Sequence, residues 1–428
     1  MQNFIHHSAI IILTFNHAHP PALKNRKFLF LWLGLMVSVA GSQMQVAAIH
    51  WHIRDLSETP DPLALGGIGL ARILPVIIFS LFGGAFADTY NRRTILFITQ
   101  VSMALTAVGL AALTFTGRAE IWHIYALTAV QAAAIAFDAP ARQAIVPNIV
   151  DAKDLPNAFS LNSIASNVGA VAGPVMSGIV IATLGQGYTY FFNALSFLAV
   201  IFALLAIGKI PQDFSNARGV SLSAIVDGVR FIFSRKIILS TMVMDFFATF
   251  FAAANTMLPI IARDMLKVGE VGYGLLGAAG SAGSVLAAFV VSQLPNLRRQ
   301  GPVFLTAVIV FGLATIAFGL SQTFWLAFIT LALMGAADSV STIIRNTIRQ
   351  LNTPDHIRGR MTSINQVFFQ GGPQLGEVRA GLVASALGVP FAIVSGGVWT
   401  IIAALLIMAK WPVLRQYDSH ENNPATAD

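Results

Sequence analysis

The chain consists of long apolar runs joined by short polar connections. Each run is close to the length of about 20 residues that a helix needs to cross the hydrocarbon core of a bilayer. The runs are continuous and do not alternate apolar with polar residues, so they predict helices and not the strands of a barrel. Twelve runs are present, at residues 28–49, 63–87, 94–115, 121–137, 161–184, 187–208, 237–262, 271–293, 302–321, 323–343, 362–387 and 389–411. This pattern predicts an all-α integral membrane protein.

The widest connection divides the runs into two sets of six. It covers residues 209–236 and includes a segment whose apolar residues share one helical face, namely Leu222, Ile225, Val226, Val229, Ile232 and Phe233. This spacing predicts a helix on the membrane surface, with a partly ordered linker as the alternative. The predicted domains are an N-terminal tail at 1–27, six-helix halves at 28–208 and 237–411, the linker at 209–236 and a C-terminal tail at 412–428.

The composition favours the same location. Hydrophobic residues make up 56% of the chain and charged residues 11%, about half the charged fraction of a soluble protein. So few charges cannot cover a water-exposed surface, and most of the outer surface must therefore face lipid. The net charge of +7 fits an excess of Lys and Arg on one side of a membrane better than a nucleic-acid partner. The absence of cysteine excludes disulfides, thiol catalysis and thiolate metal sites.

Lys and Arg residues are distributed unequally over the two sides that alternate connections define. Of the 26 such residues, 20 fall on the side of the two termini, and four, Arg54, Arg118, Arg263 and Lys267, fall on the other. Because Lys and Arg collect on the cytoplasmic side of membrane proteins, both termini are predicted to be cytoplasmic, in the inner cell membrane.

The two halves contain related segments in the same order. "ADTYNRR" after the second span has a counterpart in "SQLPNLRR" after the eighth, and "VAGPVMSG" in the fifth has one in "QGGPQLGE" in the eleventh. Asp138 and Asp338 occupy equivalent ends of the fourth and tenth spans, and we interpret both as loop anchors. The offset near 200 residues predicts an internal duplication. In duplicated bundles the substrate site lies at the interface of the halves.

Seven short segments carry a resemblance to a known family. In chain order they are "WLGLMVSVAGSQMQ", "LALGGIGLARILP", "GGAFADTYNRR", "FDAPARQAIVPNIV", "LPNAFSLNS", "VAGPVMSG" and "GGPQLGEVRAGLVA". Together they resemble the major facilitator superfamily, in its branch of enterobactin-exporter-like drug and siderophore effluxers. The resemblance implies twelve helices and the export of a small amphiphilic compound by alternating access and proton antiport. An importer, or a lysophospholipid transporter of the same superfamily, is the alternative.

The segment "GGAFADTYNRR" implies a gate on the cytoplasmic side. Within the resemblance, Asp88 is the acid of a latch that closes this side when the cavity faces outward. Arg92 and Arg93 anchor the segment, and Arg142, in the loop after the fourth span, is the predicted partner of Asp88. The alternative is that the arginines only set the orientation of the chain in the membrane.

The fifth span contains four residues that favour close or bent helix packing, Gly169, Gly173, Pro174 and Gly178. Small residues at a spacing of four let helix backbones approach, and proline permits a bend. The string resembles the antiporter motif of the superfamily, which marks exporters. Ordinary helix packing is the alternative.

Four charged residues lie inside spans and away from the span ends, where charges are costly and usually face a cavity or each other. Arg72 and Glu377 each lie roughly 13–15 Å from the outer ends of the second and eleventh spans. These spans are neighbours in the superfamily, so the two residues are predicted to form either a gate or a static pair, with Arg379 as a competing partner of Glu377. Asp245 is the lone acid of the seventh span and is predicted to exchange protons. A half-exposed position at the cytoplasmic edge is the alternative for Asp245.

Polar candidates for substrate contact are few. Gln43, Gln131 and Asn255 project from spans that line the cavity in the superfamily, as do Phe246, Phe247, Phe250 and Phe251. An apolar pocket with a few polar groups suits an amphiphilic compound. Proton-coupled drug exporters often place an arginine three residues before the glutamine, where this chain has Thr128, which puts the usual proton relay in question.

No motif indicates an enzyme. The sequence contains neither HExxH nor a P-loop, so neither a zinc hydrolase nor an ATP-driven pump is predicted. A sensor built on the same bundle has little room for a signalling domain. No catalytic residue, metal or cofactor is predicted. The predicted partners are the lipid bilayer, a small-molecule substrate and protons, with no nucleic acid and no obligate protein partner.

Overall fold

The computed structural model describes residues 20–208, 210, 212, 222–294 and 299–418, and these form helices with no strand among them. The long helices, numbered α1 to α12, are Arg26–Leu56, Pro62–Thr89, Arg92–Phe115, Ile121–Ile145, Leu155–Leu184, Gln186–Ile207, Lys236–Phe251, Gly269–Gln293, Gln300–Gly319, Phe324–Leu351, Asp355–Leu387 and Val389–Lys410. Among the residues described, eleven segments are long and apolar enough to cross a membrane. α11 has the length of a span but begins with polar residues. The predicted all-α integral membrane fold is confirmed.

The seventh span is broken, although the sequence predicts one continuous run at 237–262. After α7 the helix stops at Ala252–Ala254 and resumes as a 3-10 turn at Asn255–Met257, which leads through Leu258–Ile260 into a π-helical turn at Ile261–Met265. Pro259 explains part of this, because proline lacks a backbone N–H and clashes with the carbonyl four residues earlier in a helix. The break therefore separates α7, which carries the charged and aromatic residues, from the apolar end of the seventh span.

A short linker helix, Leu222–Ser234, joins the halves. Val226 and Phe233 are exposed, while Ile232 is buried beside Met242 of α7. Two members of the predicted apolar face have side chains outside the described residues, Leu222 and Ile225. Placement of this helix on the membrane surface stays a prediction, as do the domain bounds.

The helix neighbours repeat from one half to the other. In the first half α1 packs against α5 and α6, α2 against α4, and α3 against α4 and α6. In the second half each of these contacts recurs six helices later, from α7 with α11 and α12 to α9 with α10 and α12. The halves meet along two seams, α2 with α11 and α5 with α8. This arrangement supports the internal duplication.

Both ends of the described chain lie on one face of the bundle, because the spans are even in number. The backbone N–H of Gly301 donates to the carbonyl of Tyr417, 3.1 Å away, at the α8–α9 connection. The side chain of Asn25 donates to the carbonyl of Ile149, 2.7 Å away, at the α4–α5 connection. We call this side the terminal face and the opposite side the far face.

The apolar core joins the halves at the far face. The largest buried cluster there combines residues of the first half, such as Ile49 and Leu65, with residues of the second, such as Met257 and Leu276. Toward the terminal face, the described clusters belong to single halves: one lies within residues 22–207 and another within residues 244–417. In this conformation the halves are therefore packed together most tightly at the far face.

Candidate functional site: charges and glycines between the halves

Each seam is closed by a pair of glycines near the far face. A Cβ atom built on Gly66 of α2 would lie 2.8 Å from the Cα of Gly381 of α11, and one built on Gly274 of α8 would lie 3.0 Å from the Cα of Gly178 of α5. No side chain fits at such a distance, so the two backbones touch directly. The two crossings are equivalent under the internal duplication.

The residues of α5 that were predicted as an antiporter motif contact two different helices. Gly178 lies at the seam with α8, and the carbonyl of Pro174 lies 2.5 Å from a Cβ built on Gly274. Gly169 and Gly173 instead face α1, where added Cβ atoms would meet Val39 and Gln43 at 2.7 and 2.5 Å. The helix therefore packs closely against α1 within its own half and against α8 across the seam.

Arg72 and Glu377 meet across the α2–α11 seam. The Nη1 atom of Arg72 lies 3.7 Å from Oε1 of Glu377, and both side chains are mostly buried. Arg72 Nη2 and Glu377 Oε2 form no hydrogen bond with any described residue. Arg379 does not compete for Glu377, because its Nη2 donates to the carbonyl of Ala392 at 3.1 Å and its guanidinium lies over the ring of Phe251. The predicted contact is present; its role in gating stays a proposal.

Asp245, the lone acid of the seventh span, is one member of a buried ion pair. Its Oδ1 lies 3.0 Å from Nη2 of Arg345, with side chains that are 1% and 2% exposed. No described donor makes a well-aligned hydrogen bond to either oxygen of Asp245, so the charge of Arg345 is its main compensation. The alternative of a half-exposed edge position is wrong.

A second carboxylate shares the same arginine. Asp338 Oδ1 lies 3.5 Å from Nη1 of Arg345, and the Asp338 side chain is 41% exposed. Arg345 Nη1 also donates to Ser341 Oγ at 3.0 Å. Arg345 thus lies between a buried acid on α7 and a solvent-accessible acid on its own helix, α10.

Sequence reasoning missed Arg345 because the hydropathy pattern places the end of the tenth span at residue 343, with Arg345 in a loop. The helix continues to Leu351. A helical signal was available: Asp338, Ser341, Arg345 and Arg349 recur at spacings of three and four, which places them on one face. Arg349 extends the network, since its Nη2 donates to Asn346 Oδ1 at 2.7 Å and its Nη1 donates to Asn365 of α11.

On the terminal face the structure corrects the prediction for Arg142. This residue lies on α4, not in a loop, and its guanidinium pairs with Asp138 one turn earlier, with Nε 2.9 Å from Oδ2. Pairs four residues apart on a helix face each other, which explains the contact. Asp138 is fully buried and also accepts hydrogen bonds from Thr99 and Gln100 of α3. Asp138 is therefore a helix-connecting acid, not a loop anchor, and Asp338 likewise lies within a helix.

The two other arginines of the predicted latch bind carbonyls and amides of the first half. Arg92 Nη1 donates to Asn148 Oδ1 at 2.6 Å and to the carbonyl of Ala144 at 2.9 Å. Arg93 Nε donates to the carbonyl of Leu204 at 2.8 Å. They tie α3 to α4 and α6. The side chain of Asp88 lies outside the described residues, so the latch stays a proposal.

The polar cavity candidates are dispersed. Gln131 is buried and accepts from Gln45 Nε2 at 2.7 Å, and Gln45 Oε1 accepts from Asn193 Nδ2 at 2.6 Å. This network joins α1, α4 and α6, and sequence reasoning missed its other two members. Gln43 is half-buried and Asn255, at the break of the seventh span, is exposed.

The four phenylalanines of α7 contact one another and meet two neighbouring helices. Phe246 stacks on Phe250 with ring centroids 5.9 Å apart and meets Phe368 of α11 edge-on at 6.2 Å. Phe251 lies against Trp399 of α12, with centroids 5.9 Å apart. Phe246 directly follows Asp245 in the chain, so this aromatic surface lies next to the charged network.

A family comparison decides what kind of bundle this is. The model of the major facilitator superfamily family described as transmembrane secretion effector matches residues 18–427. The chain belongs to this family. Membership confirms the resemblance drawn from the sequence motifs, and it makes the protein a multi-pass membrane transporter of efflux type and not an enzyme.

Relatives and solved structures agree with this assignment. The chain is 26% identical over 377 residues to the multidrug efflux pump Tap of Mycolicibacterium fortuitum, covering 85% of this chain and 91% of Tap. It is 25% identical to the enterobactin exporter EntS of Citrobacter koseri, covering 79% of this chain and 80% of EntS. A bacterial homologue of the human lysosomal transporter Spinster, solved inward-facing and unoccupied, superposes with a TM-score of 0.72 at 15% identity, covering 94% of this chain and 99% of that one. The last similarity shows the fold alone.

Proposed function

We propose that this transporter exports a small amphiphilic compound of the siderophore or drug class from the cytoplasm. The support is the family together with relatives named as a multidrug efflux pump and as enterobactin exporters. The phenylalanines of α7 and α11 offer aromatic surface to such a compound. Within the proposal, the terminal face is cytoplasmic, because most Lys and Arg residues lie on that side.

Transport proceeds by alternating access. The observation that carries this step is the uneven contact between halves: the shared apolar cluster and both glycine crossings lie toward the far face. With the terminal face in the cytoplasm, this conformation is closed outward. Rocking about the two seams would separate the glycine pairs and bring the terminal ends of the halves together.

Proton entry drives export through Asp245 and Arg345. A carboxylate buried in a low-dielectric interior needs either a positive partner or a proton. Arg345 already contacts both Asp245 and Asp338, so a small shift of its guanidinium toward Asp338 would leave Asp245 to take up a proton. Asp338, being half-exposed, connects this pair to water.

On the terminal face, Asp88 is the latch acid of the outward-open state. A latch between Asp88 and Arg142 requires Arg142 to leave Asp138, its partner in this conformation. Asp88→Asn is expected to reduce transport while expression is unchanged. Equal flux in the variant and the parent would end this part of the proposal.

The direct test is export from proteoliposomes with and without an imposed pH gradient. Catecholate and carboxylate siderophores, aromatic drugs and lysophospholipids form the substrate panel. We expect export of a siderophore or drug that accelerates when protons can flow inward. Export of lysophospholipids alone would reassign the substrate, and gradient-independent flux would remove proton antiport.

A further inference from the structure

The same dipeptide ends the first span of each half. Arg54-Asp55 closes α1 in the string "HIRDL", and Arg263-Asp264 closes the seventh span in "IARDM". Both dipeptides lie at the far face, at equivalent positions of the internal duplication. In the sequence they count only as loop charges on the side opposite the termini.

The structure joins the two dipeptides crosswise. Arg54 donates twice to Asp264, from Nε to Oδ2 at 2.7 Å and from Nη2 to Oδ1 at 2.5 Å. Arg263 Nη1 donates to Asp55 Oδ1 at 2.7 Å. Each arginine therefore binds the aspartate of the other half, as a twofold relation between the halves requires.

The two ion pairs are unequal. The Arg54 side chain is 7% exposed and binds a 27% exposed Asp264 through a fork of two hydrogen bonds, the geometry in which an arginine–carboxylate pair is strongest. The side chains of Arg263 and Asp55 are 41% and 40% exposed, and water screens such a pair so that it contributes little.

Directly beneath the ion pairs, the backbones and rings of the two halves are in contact. The hydroxyl of Tyr273 on α8 donates to the carbonyl of Ala47 on α1 at 2.8 Å. The rings of Tyr273 and Trp51 lie 5.1 Å apart, and Arg263 lies over the ring of Trp51. Separation of the far face must break these contacts together with both ion pairs.

We propose that the two Arg-Asp dipeptides form a reciprocal clasp that holds the far-face ends of the first and seventh spans together and opens during each transport cycle. Arg54–Asp264 supplies most of the holding energy, and Arg263–Asp55 aligns the two ends. This inference rests on the proposed alternating access. It adds four positioning residues on the substrate exit route, Arg54, Asp55, Arg263 and Asp264.

The crossed arrangement allows a test at constant charge. Exchange of the two residues in one half, Arg54→Asp with Asp55→Arg, sets like charges opposite each other in both pairs. Adding Arg263→Asp with Asp264→Arg restores opposite charges everywhere. The parent protein and the two exchanged variants have the same composition and net charge. Differences in membrane insertion or in bulk electrostatics therefore do not distinguish them.

The chain has no cysteine, so spin labels can be placed without removing native thiols. Labels at Glu58→Cys, before α2, and Val271→Cys, at the start of α8, report the far-face separation of the halves by pulsed electron resonance in nanodiscs. Exchange in one half is expected to raise the population of long distances about tenfold or more, since opposed like charges cost several kcal/mol. Exchange in both halves is expected to restore the short distance.

Single neutralisations separate the two pairs. Arg54→Gln is expected to raise the open population about tenfold or more, and Arg263→Gln less than about fivefold. Arg118→Gln, which removes an exposed far-face arginine outside the clasp, is the matched control and is expected to leave the distances unchanged.

The distance measurement tests the clasp, and the transport assay tests the proposed function, so either can fail without the other. If exchange in one half leaves the short distance unchanged, or exchange in both halves does not recover it, the clasp is wrong while proton-driven export can still hold. If the distances respond as expected but no substrate is moved, the clasp stands as a structural contact and the proposed function fails. Size-exclusion profiles exclude misfolded variants before labelling.

Discussion

Two aspartates at equivalent positions of the duplication, Asp138 and Asp338, have opposite surroundings. Asp138 is fully buried in the first half and receives hydrogen bonds from Thr99 and Gln100 besides its pairing with Arg142. Every one of these partners belongs to the same half. The Asp138 carboxylate therefore has hydrogen-bond donors and a positive partner within its own half, and it links α3 to α4.

Asp338 has a much less complete set of contacts. Its side chain is 41% exposed, and its contact with Arg345 is long, at 3.5 Å. Arg345 is held more closely by Asp245, at 3.0 Å. The comparison shows that the duplicated acid has a structural role in the first half, whereas in the second half two acids share one arginine. An unsaturated arrangement of this kind can change partners at a lower cost than a saturated one.

The largest effect is expected from removing the shared arginine. Arg345→Gln leaves Asp245 buried without a positive partner, which costs about 3–5 kcal/mol in stability. Thermal unfolding in detergent, with Arg118→Gln as control, measures this loss. Adding Asp245→Asn is expected to recover most of the stability, because no charge then remains uncompensated. A double variant as unstable as the single one would show that Arg345 acts through packing.

A smaller effect is expected from replacing Asp138 or Asp338. One replacement should mainly change stability, and the other should mainly change transport. Asp138→Asn is expected to cost about 1–3 kcal/mol, because buried donors lose a charged acceptor, while the response of transport to the pH gradient is retained. Asp338→Asn is expected to cost less than about 1 kcal/mol because the group is half-exposed, and to alter the dependence of transport on the pH gradient. If both variants change stability and transport alike, the two acids do not differ as described.

The smallest effect is expected at the α2–α11 seam, where the 3.7 Å contact of Arg72 with Glu377 is loose. Neutralising either residue is expected to reduce transport by less than about tenfold, because this contact at 3.7 Å is looser than the 3.0 Å contact of Arg345 with Asp245. Exchanging the two, Arg72→Glu with Glu377→Arg, is expected to recover part of the loss. No recovery in the exchanged protein would argue that the two residues act separately.

Much of the fold follows from the sequence, because hydropathy reports the cost of placing each segment in lipid. The spans and the two halves were predicted on that basis. The Arg72–Glu377 contact was predicted from the resemblance to the superfamily, in which the second and eleventh spans are neighbours. Arg345 and Arg54 were assigned to connections, since a charged residue ends an apolar run. Both are in fact buried by other helices and compensated by aspartates more than 90 residues away. Such compensation depends on tertiary contacts, which hydropathy averaged over neighbouring residues does not report.

The break in the seventh span was missed for a related reason. "FFAAANTMLPII" is apolar apart from Asn255 and Thr256, so hydropathy averaged along the chain predicts a continuous span. Pro259 was the available signal, because proline disfavours the interior of a helix.

The central claim is that proton uptake at Asp245, released from Arg345, drives export. Asp245→Asn in proteoliposomes tests it most directly, with Glu58→Gln, an exposed far-face acid, as the matched control. We predict that Asp245→Asn abolishes export driven by a pH gradient and retains counterflow exchange of the same substrate. Export that keeps its full response to the gradient in the variant would contradict the claim, and so would equal loss of export and counterflow.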